Sequence, residues 1–505
     1  MTKKKLLLTG FVVVKFLLQY SLISPDYDLQ RDEYLHLDQA HHLAWGYLSV
    51  PPVTSWISFL IYALGNSVFW IKFFPALFGA LTIVVVWKAI EELNGNLYAL
   101  VLGATGVLFS ALLRINTLYQ PNSLDVLCWT TLYYILIKWI RSEDAKWLYL
   151  GAVLLAIGFL NKYNIVFLLI GLLPAVLLTG QRRILTHRNF YFAMVLGLLL
   201  VLPNLLWQYH HHFPVVHHLK ELADTQLVNV ERADFLKSQI LFYLGAFPVL
   251  CAAFYALCFY PPFRPYRVFL WSFLFTLAAF LYFKAKDYYA IGVYPVYIAF
   301  GSVFLAEQFR SGWRKYLKPV VLAIPILVFI LLYFIAFPNH SPEYIIQHSK
   351  LHKELGLLRW EDGKDHPLPQ DFADMLGWKE LAIKVDSVLN TLPHPDQTFL
   401  LCDNYGEAGA INYYSKNKKI KANSFSADYV NWINLDQKIT DGVLVMEEEE
   451  NEKNSNEAFQ LFDTVYLAGQ RINPYAREQA ISIYVLLGAK VDVNARIREE
   501  IRSKE

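Results

Sequence analysis

Apolar residues gather in long, nearly uninterrupted runs over residues 1–337 and then give way to a mixed polar pattern. The first run, Leu6–Ile23, follows directly on Lys3, Lys4 and Lys5, and others lie near 70–90, 97–113, 122–140, 147–160, 163–179, 190–207, 236–260, 268–283, 289–306 and 319–337. Crossing about 30 Å of hydrocarbon takes about 20 helical residues, so the pattern predicts a polytopic α-helical membrane protein with about eleven transmembrane helices. The shorter runs, notably 147–160, leave that number open by one or two. The Lys-rich start has the outline of a signal peptide, but no small-residue cleavage site follows, and the first run reads as an uncleaved span.

Beyond Pro338 the pattern is that of a soluble α/β domain covering 338–505. Thr398–Cys402, Gly442–Met446 and Asp463–Leu467 read as strands, and Gly406–Tyr414 and Arg477–Leu487 as helices. Glu447–Asn456 reads as a charged, solvated loop. No GxGxxG or GxxxxGK[ST] follows any of these strands, which removes support for dinucleotide or nucleoside triphosphate binding. No repeat of 20–50 residues and no matching halves are visible.

Composition agrees with the membrane reading: 55% of residues are hydrophobic and 17% charged, against about 25% charged in soluble proteins. The net charge of +2 hides a division, since residues 1–337 carry 26 Lys/Arg against 16 Asp/Glu while 338–505 carry 19 against 27. The basic excess recurs in alternate short loops, at Lys3–Lys5, Lys138/Arg141/Lys146, Arg182/Arg183/Arg188, Arg264/Arg267 and Arg310/Arg314/Lys315/Lys318. This is membrane topology rather than a nucleic-acid footprint, and it predicts a cytoplasmic N-terminus. Segments 24–69, 114–121, 161–162, 208–235, 284–288 and the tail then lie outside, in contact with membrane lipids at their bases. Cys128, Cys251 and Cys258 fall in apolar runs and Cys402 in the tail, a distribution that excludes a disulfide framework there and any metal-type cysteine spacing.

The first outer loop, 24–69, is the richest in chemistry. Asp26, Asp28, Asp32, Glu33 and Asp38 crowd one short stretch, and a surface helix over 32–46 would place Asp32, His36 and Gln39 on one face. A carboxylate held partly out of water is suited to general-base work. A solvated loop whose acidic residues favour a helix N-terminus would carry the same carboxylates.

Arg31-Asp32-Glu33, His42-Leu-Ala-Trp45-Gly46-Tyr47 and Pro51-Pro52 together resemble the first periplasmic loop of the family 39 glycosyltransferases. These GT-C membrane enzymes include protein O-mannosyltransferases and lipid A aminoarabinose transferases. The likeness continues through Gln120-Pro121-Asn122-Ser123-Leu124-Asp125, Asn161-Lys162-Tyr163, Pro203-Asn204-Leu-Leu-Trp207-Gln208 and Lys286-Asp287-Tyr288-Tyr289 up to Tyr294-Pro295, covering 1 to about 310 in order. It implies a GT-C fold in a bacterial inner membrane, with the soluble domain periplasmic. The implied activity is inverting transfer of a sugar from a polyprenyl-phosphate donor to a lipid, glycan or protein acceptor, with no cofactor required. Asp32 matches the family's catalytic carboxylate, with Glu33 beside it, and Asp125 matches a second acidic position. Arg31, His36 and Gln39 are then candidates for holding acceptor or sugar.

Departures bear on the donor phosphate. The aminoarabinose enzymes carry an acidic-basic pair where this chain has Ser49-Val50, so phosphate contacts must come from Lys284, Lys286, Arg114, Lys162 or Tyr289. Ile291-Gly292 replaces the usual Leu-Pro after the motif tyrosine. His210, His211, His212, His217 and His218 could bring two imidazoles to a divalent metal, or simply line an interfacial loop. A lipid or sugar transporter would share the hydrophobicity and the charged loops, but calls for symmetric halves and mid-span charges. A sensor with a periplasmic domain would have no reason to repeat the transferase motifs. The loop charges predict that alkaline phosphatase fused after Glu505 is active, whereas an inactive but stable fusion, with a fluorescent fusion at the same site glowing, overturns the orientation.

Overall fold

The computed structural model describes residues 2–447 and 459–504. The charged stretch after Glu447, expected to be a solvated loop, lies outside the described residues as far as Ala458. Every apolar run carries a helix: Lys3–Ser21, Val68–Glu92, Leu97–Leu108, Asn122–Ser142, Lys146–Asn161, Ile165–Leu178, Arg188–His210, Arg267–Tyr282, Pro295–Gln308 and Leu317–Ala336. The run 236–260 is broken, with Arg232–Phe242 and Leu244–Phe259 meeting at 69°. Among the described residues four helices are long and apolar enough to cross a membrane, or up to seven when bent pairs count as one. Helices such as Leu97–Leu108 fall short because 12 residues rise only about 18 Å at 1.5 Å each.

The bundle closes around large buried rings, among them Trp87, Trp129, Tyr133, Phe269, Phe280 and Tyr297. Close helix approach is secured by small residues: a Cβ on Gly171 would stand 1.9 Å from the Thr276 hydroxyl, so Ile165–Leu178 and Arg267–Tyr282 meet there only because residue 171 has no side chain.

The C-terminal region builds a five-stranded sheet from β1 (Thr398–Cys402), β2 (Ala422–Ser424), β3 (Asp441–Glu447), β4 (Phe462–Ile472) and β5 (Ala480–Ala489), in the order β2-β1-β3-β5-β4. β1 runs parallel to β2 and β3, while β5 is antiparallel to both β3 and β4. The helix expected over Arg477–Leu487 is instead β5. Ile481, Ile483 and Val485 are all fully buried, a period of two in β-branched residues that suits a covered strand better than a helix. β4 runs on to Ile472 past a register shift between Leu467 and Gly469, and the three-residue β2 has too little sequence to announce itself.

This region does not stand apart from the first loop. One apolar core joins Leu29, Tyr34, Leu35, Leu37, Ile61 and Tyr119 to Trp378, Leu381, Val385, Ile411, Val443 and Ile483. Polar ties line its edge: Asp38 accepts from Tyr429 Oη at 2.6 Å and Asn412 Nδ2 at 2.9 Å, and Asp428 accepts from Gln39 Nε2 at 3.0 Å and the Leu48 amide at 2.8 Å. Burial pushes Asp428 up to about 6.

Candidate functional site

The acidic stretch of the first loop folds into a short helix, Arg31–Asp38, followed by a 3-10 turn over Gln39–His41, so the helix expected over 32–46 ends early. A capping box starts it: Gln30 Oε1 accepts from the Asp32 amide at 2.9 Å, and Glu33 Oε2 accepts from the Gln30 amide at 2.8 Å. Lys72 donates to both Glu33 oxygens, at 2.6 and 2.8 Å, and the Tyr119 amide donates to Oε1 at 2.6 Å. Glu33 and Lys72 are 0% and 5% exposed. The two neighbouring carboxylates therefore do different things. Glu33 is sealed and fully engaged, while Asp32 stays half-buried.

Asp32 Oδ1 accepts from Tyr405 Oη at 2.7 Å, and Oδ2 accepts from Gln120 Nε2 at 3.1 Å. From Gln120 a polar chain continues, since Asn122 Nδ2 donates to Gln120 Oε1 at 2.9 Å and Lys162 Nζ donates to Asn122 Oδ1 at 2.7 Å. The Lys162 ammonium lies 4.1 Å from the centre of the Tyr289 ring. Asn164 Nδ2 bridges Asp125 Oδ2 at 2.9 Å and the Tyr289 carbonyl at 3.0 Å, while Trp129 Nε1 donates to Asp125 Oδ1 at 3.0 Å. Asp125 is thus buried behind Tyr289 and holds its loop. Lys286 pairs with Glu361, and Asp32 contributes to the field at Lys286 and Tyr289. Burial opposes the Lys286 charge, but Tyr289 and Glu361 outweigh it and hold the ammonium above the ordinary lysine value. Burial likewise disfavours the Glu361 carboxylate, and Lys286 overrides this and holds it below the ordinary value.

The remaining expected residues divide. Arg31 lies with its guanidinium 4.6 Å from the Tyr405 ring centre and with Nε lacking a hydrogen-bond partner. His36 and Gln39 do share a side, with Nδ1 and Oε1 3.3 Å apart, but both are buried in the seam with the C-terminal region. Burial lowers His36 against the pull of Asp32. Arg114 is turned to Thr117 at 3.0 Å and Asp371 at 3.3 Å. Among the described residues no hydrogen bond or ion pair joins Arg114 or Lys284 to Asp32, Lys162 or Lys286; Lys284 has a left-handed backbone, φ 51°. Among the histidines of 210–218, His211 stacks on Trp207 at 4.1 Å. No group of three or more His, Cys, Asp or Glu gathers as a metal site among the described residues.

Other motif residues brace the site. Asn204 Nδ2 donates to the Trp45 carbonyl at 2.7 Å, and its Oδ1 accepts from Tyr163 Oη at 3.1 Å. A Cβ on Gly46 would stand 2.3 Å from the Trp207 ring, so that position admits only glycine. Sequence reasoning missed Tyr405, Glu361, Gln120 as a partner of Asp32, and Lys72. Lys72, near the start of an apolar run, was the one with a signal, because a charge there demands a partner.

The model of a family described as dolichyl-phosphate-mannose-protein mannosyltransferase matches residues 49–207. The lipid A galacturonosyltransferase RgtD of Rhizobium johnstonii is 25% identical over an alignment of 198 residues that covers 37% of this chain and 41% of that relative. In shape the chain is similar to ArnT from Cupriavidus metallidurans, solved in the apo state and bound to undecaprenyl phosphate. The TM-scores are 0.62 and 0.61, at 13% and 12% identity over 96% of this chain and 98% of ArnT. The fold is therefore the ArnT-like GT-C fold, and the three likenesses together support the glycosyltransferase resemblance read from the sequence.

The Glu33–Lys72 pair makes a prediction about stability. Glu33→Ala strands the Lys72 ammonium in the interior, and loss of one partner from a buried pair costs about 3–5 kcal/mol. Thermal unfolding in detergent should fall sharply for Glu33→Ala, and a melting point equal to wild type would remove the pair from the account.

Proposed function

We propose that this chain, a glycosyltransferase of the GT-C type, moves a sugar from a polyprenyl-phosphate carrier to a hydroxyl acceptor at the outer face of the membrane, with inversion. The observation that carries the reading is the half-buried Asp32 carboxylate, held at both oxygens and joined by the Gln120–Asn122–Lys162 chain to the Tyr289 loop. Support comes from a fold shared with a protein solved with undecaprenyl phosphate.

In this reading Lys286 and Lys162 receive the donor phosphate, with Tyr289 beside them and Glu361 giving way as the phosphate arrives. Asp32 takes the acceptor's proton while that oxygen bonds to the anomeric carbon. The bond from that carbon to the phosphate oxygen breaks on the opposite face, and the carrier phosphate leaves with the electron pair. Positioned cations stabilise the charge that builds on the leaving phosphate, so no covalent enzyme intermediate is required. Asp125 fixes Tyr289 through Asn164 and does not touch the reacting atoms. The chain sits in the bacterial inner membrane as a multi-pass protein with its C-terminal region periplasmic.

Two substitutions test this. Asp32→Asn keeps the size and most hydrogen bonds but cannot take the proton, so transfer should drop at least about 10²-fold while undecaprenyl phosphate still binds. Near-native transfer would remove Asp32 as the base. Lys286→Ala should weaken undecaprenyl phosphate binding and lower transfer by about 10²-fold, on the scale of losing one charge-stabilising donor. Glu361→Gln, which leaves Lys286 free for phosphate, should tighten binding. Wild-type binding in both variants would take Lys286 out of the phosphate site.

A further inference from the structure

Tyr405 is 373 residues from Asp32 in the chain, yet its hydroxyl lies 2.7 Å from Oδ1. It opens the helix Tyr405–Tyr414, whose start is fixed by Asn404: Oδ1 accepts from the Gly406 and Glu407 amides at 2.9 and 3.1 Å. This helix lies directly on the helix that bears Asp32. A Cβ on Gly406 would be 3.3 Å from Arg31 Cβ, and one on Gly409 would be 2.6 Å from Tyr34 Cβ and 2.8 Å from the Tyr429 hydroxyl. Two glycines one turn apart thus allow a contact that any side chain at 409 would block. The Tyr405 ring is held from the other side by the Arg31 guanidinium. Burial and the Asp32 charge raise the phenol above its ordinary value, so it remains protonated and acts as a donor.

We propose that Tyr405 is a positioning residue for Asp32: the C-terminal region supplies the donor that fixes the base's rotamer, so that the active site is complete only with that region docked. The inference rests on Asp32 acting as base. With Oδ1 held by Tyr405 and Oδ2 by Gln120, the carboxylate is fixed at both oxygens, and being half-buried it keeps accessible surface for an acceptor hydroxyl. A carboxylate free to turn would spend much of its time misaligned, and small misplacements of reacting groups are costly in rate. The partner of Gln120 in this task comes from a different part of the fold, so both halves of the chain meet on one side chain.

The test uses the full-length protein in detergent, with a total lipid extract of the native membranes as donor and acceptor source, products read by mass spectrometry, and undecaprenyl phosphate as binding probe. Tyr405→Phe keeps the ring and the Arg31 contact and removes only the hydroxyl. The initial transfer rate should fall about tenfold, the scale of one hydrogen bond to a charged group, with melting temperature and undecaprenyl phosphate binding unchanged. In an Asp32→Asn background the same substitution should cost nothing further, because the two groups act as one unit. A Tyr405→Phe rate within twofold of wild type overturns the proposal, as does an additive loss in the double variant. A loss that tracks a fall in melting temperature and in undecaprenyl phosphate binding also overturns it, leaving Tyr405 a structural residue. In each of these cases Asp32→Asn remains inactive and the reading of the base stands. Near-native transfer in Asp32→Asn alone overturns both.

Discussion

The site depends on one buried ion pair. A lysine inside an apolar helix and a carboxylate in a covered loop are each costly alone, and paired they are tolerated only with every remaining lone pair satisfied. Glu33 meets that demand with Lys72, the Tyr119 amide and the Gln30 amide. Each of these contacts fixes something that Asp32 needs. The Gln30 bond starts the helix that presents Asp32, the Lys72 bond ties that helix to Val68–Glu92, and the Tyr119 bond sets the backbone just before Gln120. Glu33 thereby fixes where its neighbour Asp32 stands.

Asp32 in turn is reached from three directions. Its own helix comes from the first loop, Gln120 from the head of Asn122–Ser142, and Tyr405 from the C-terminal region. A mostly apolar seam with a polar rim holds these parts together, and carboxylates of the acidic C-terminal region are engaged there, Asp374 by Gln30 and Glu361 by Lys286. Burial lifts Asp374 to about 7 even with Arg477 beside it. The nearby cations are engaged in another way: Lys162 by the Asn122 amide oxygen and the Tyr289 ring, Lys286 by the Glu361 carboxylate.

Much of the helical part was legible because long apolar runs favour helices, and every such run carries one. The strands were harder. Arg477–Leu487 begins with charged residues that look like a helix start, and only the register against β3 and β4 selects the alternating reading. Asp32 and Glu33 are chemically near-equal neighbours in sequence, and what separates them is Lys72, a partner 39 residues away. Tyr405 gave no local sign of its role. The small residues Gly406 and Gly409 beside it allow the close helix contact, but nothing in the sequence says with what. A cation at a helix end does not by itself distinguish Lys286 from Arg114, because their ion partners Glu361 and Asp371 both lie in the C-terminal region.

The most direct measurement is a cryo-electron microscopy structure of the full-length protein in nanodiscs with undecaprenyl phosphate bound. Expected is phosphate density touching the Lys286 and Lys162 ammonium groups, with Glu361 turned away and Asp32 still bonded to Tyr405 and Gln120. Phosphate bound elsewhere, with the Lys286–Glu361 pair intact and Asp32 facing no ligand, would contradict it.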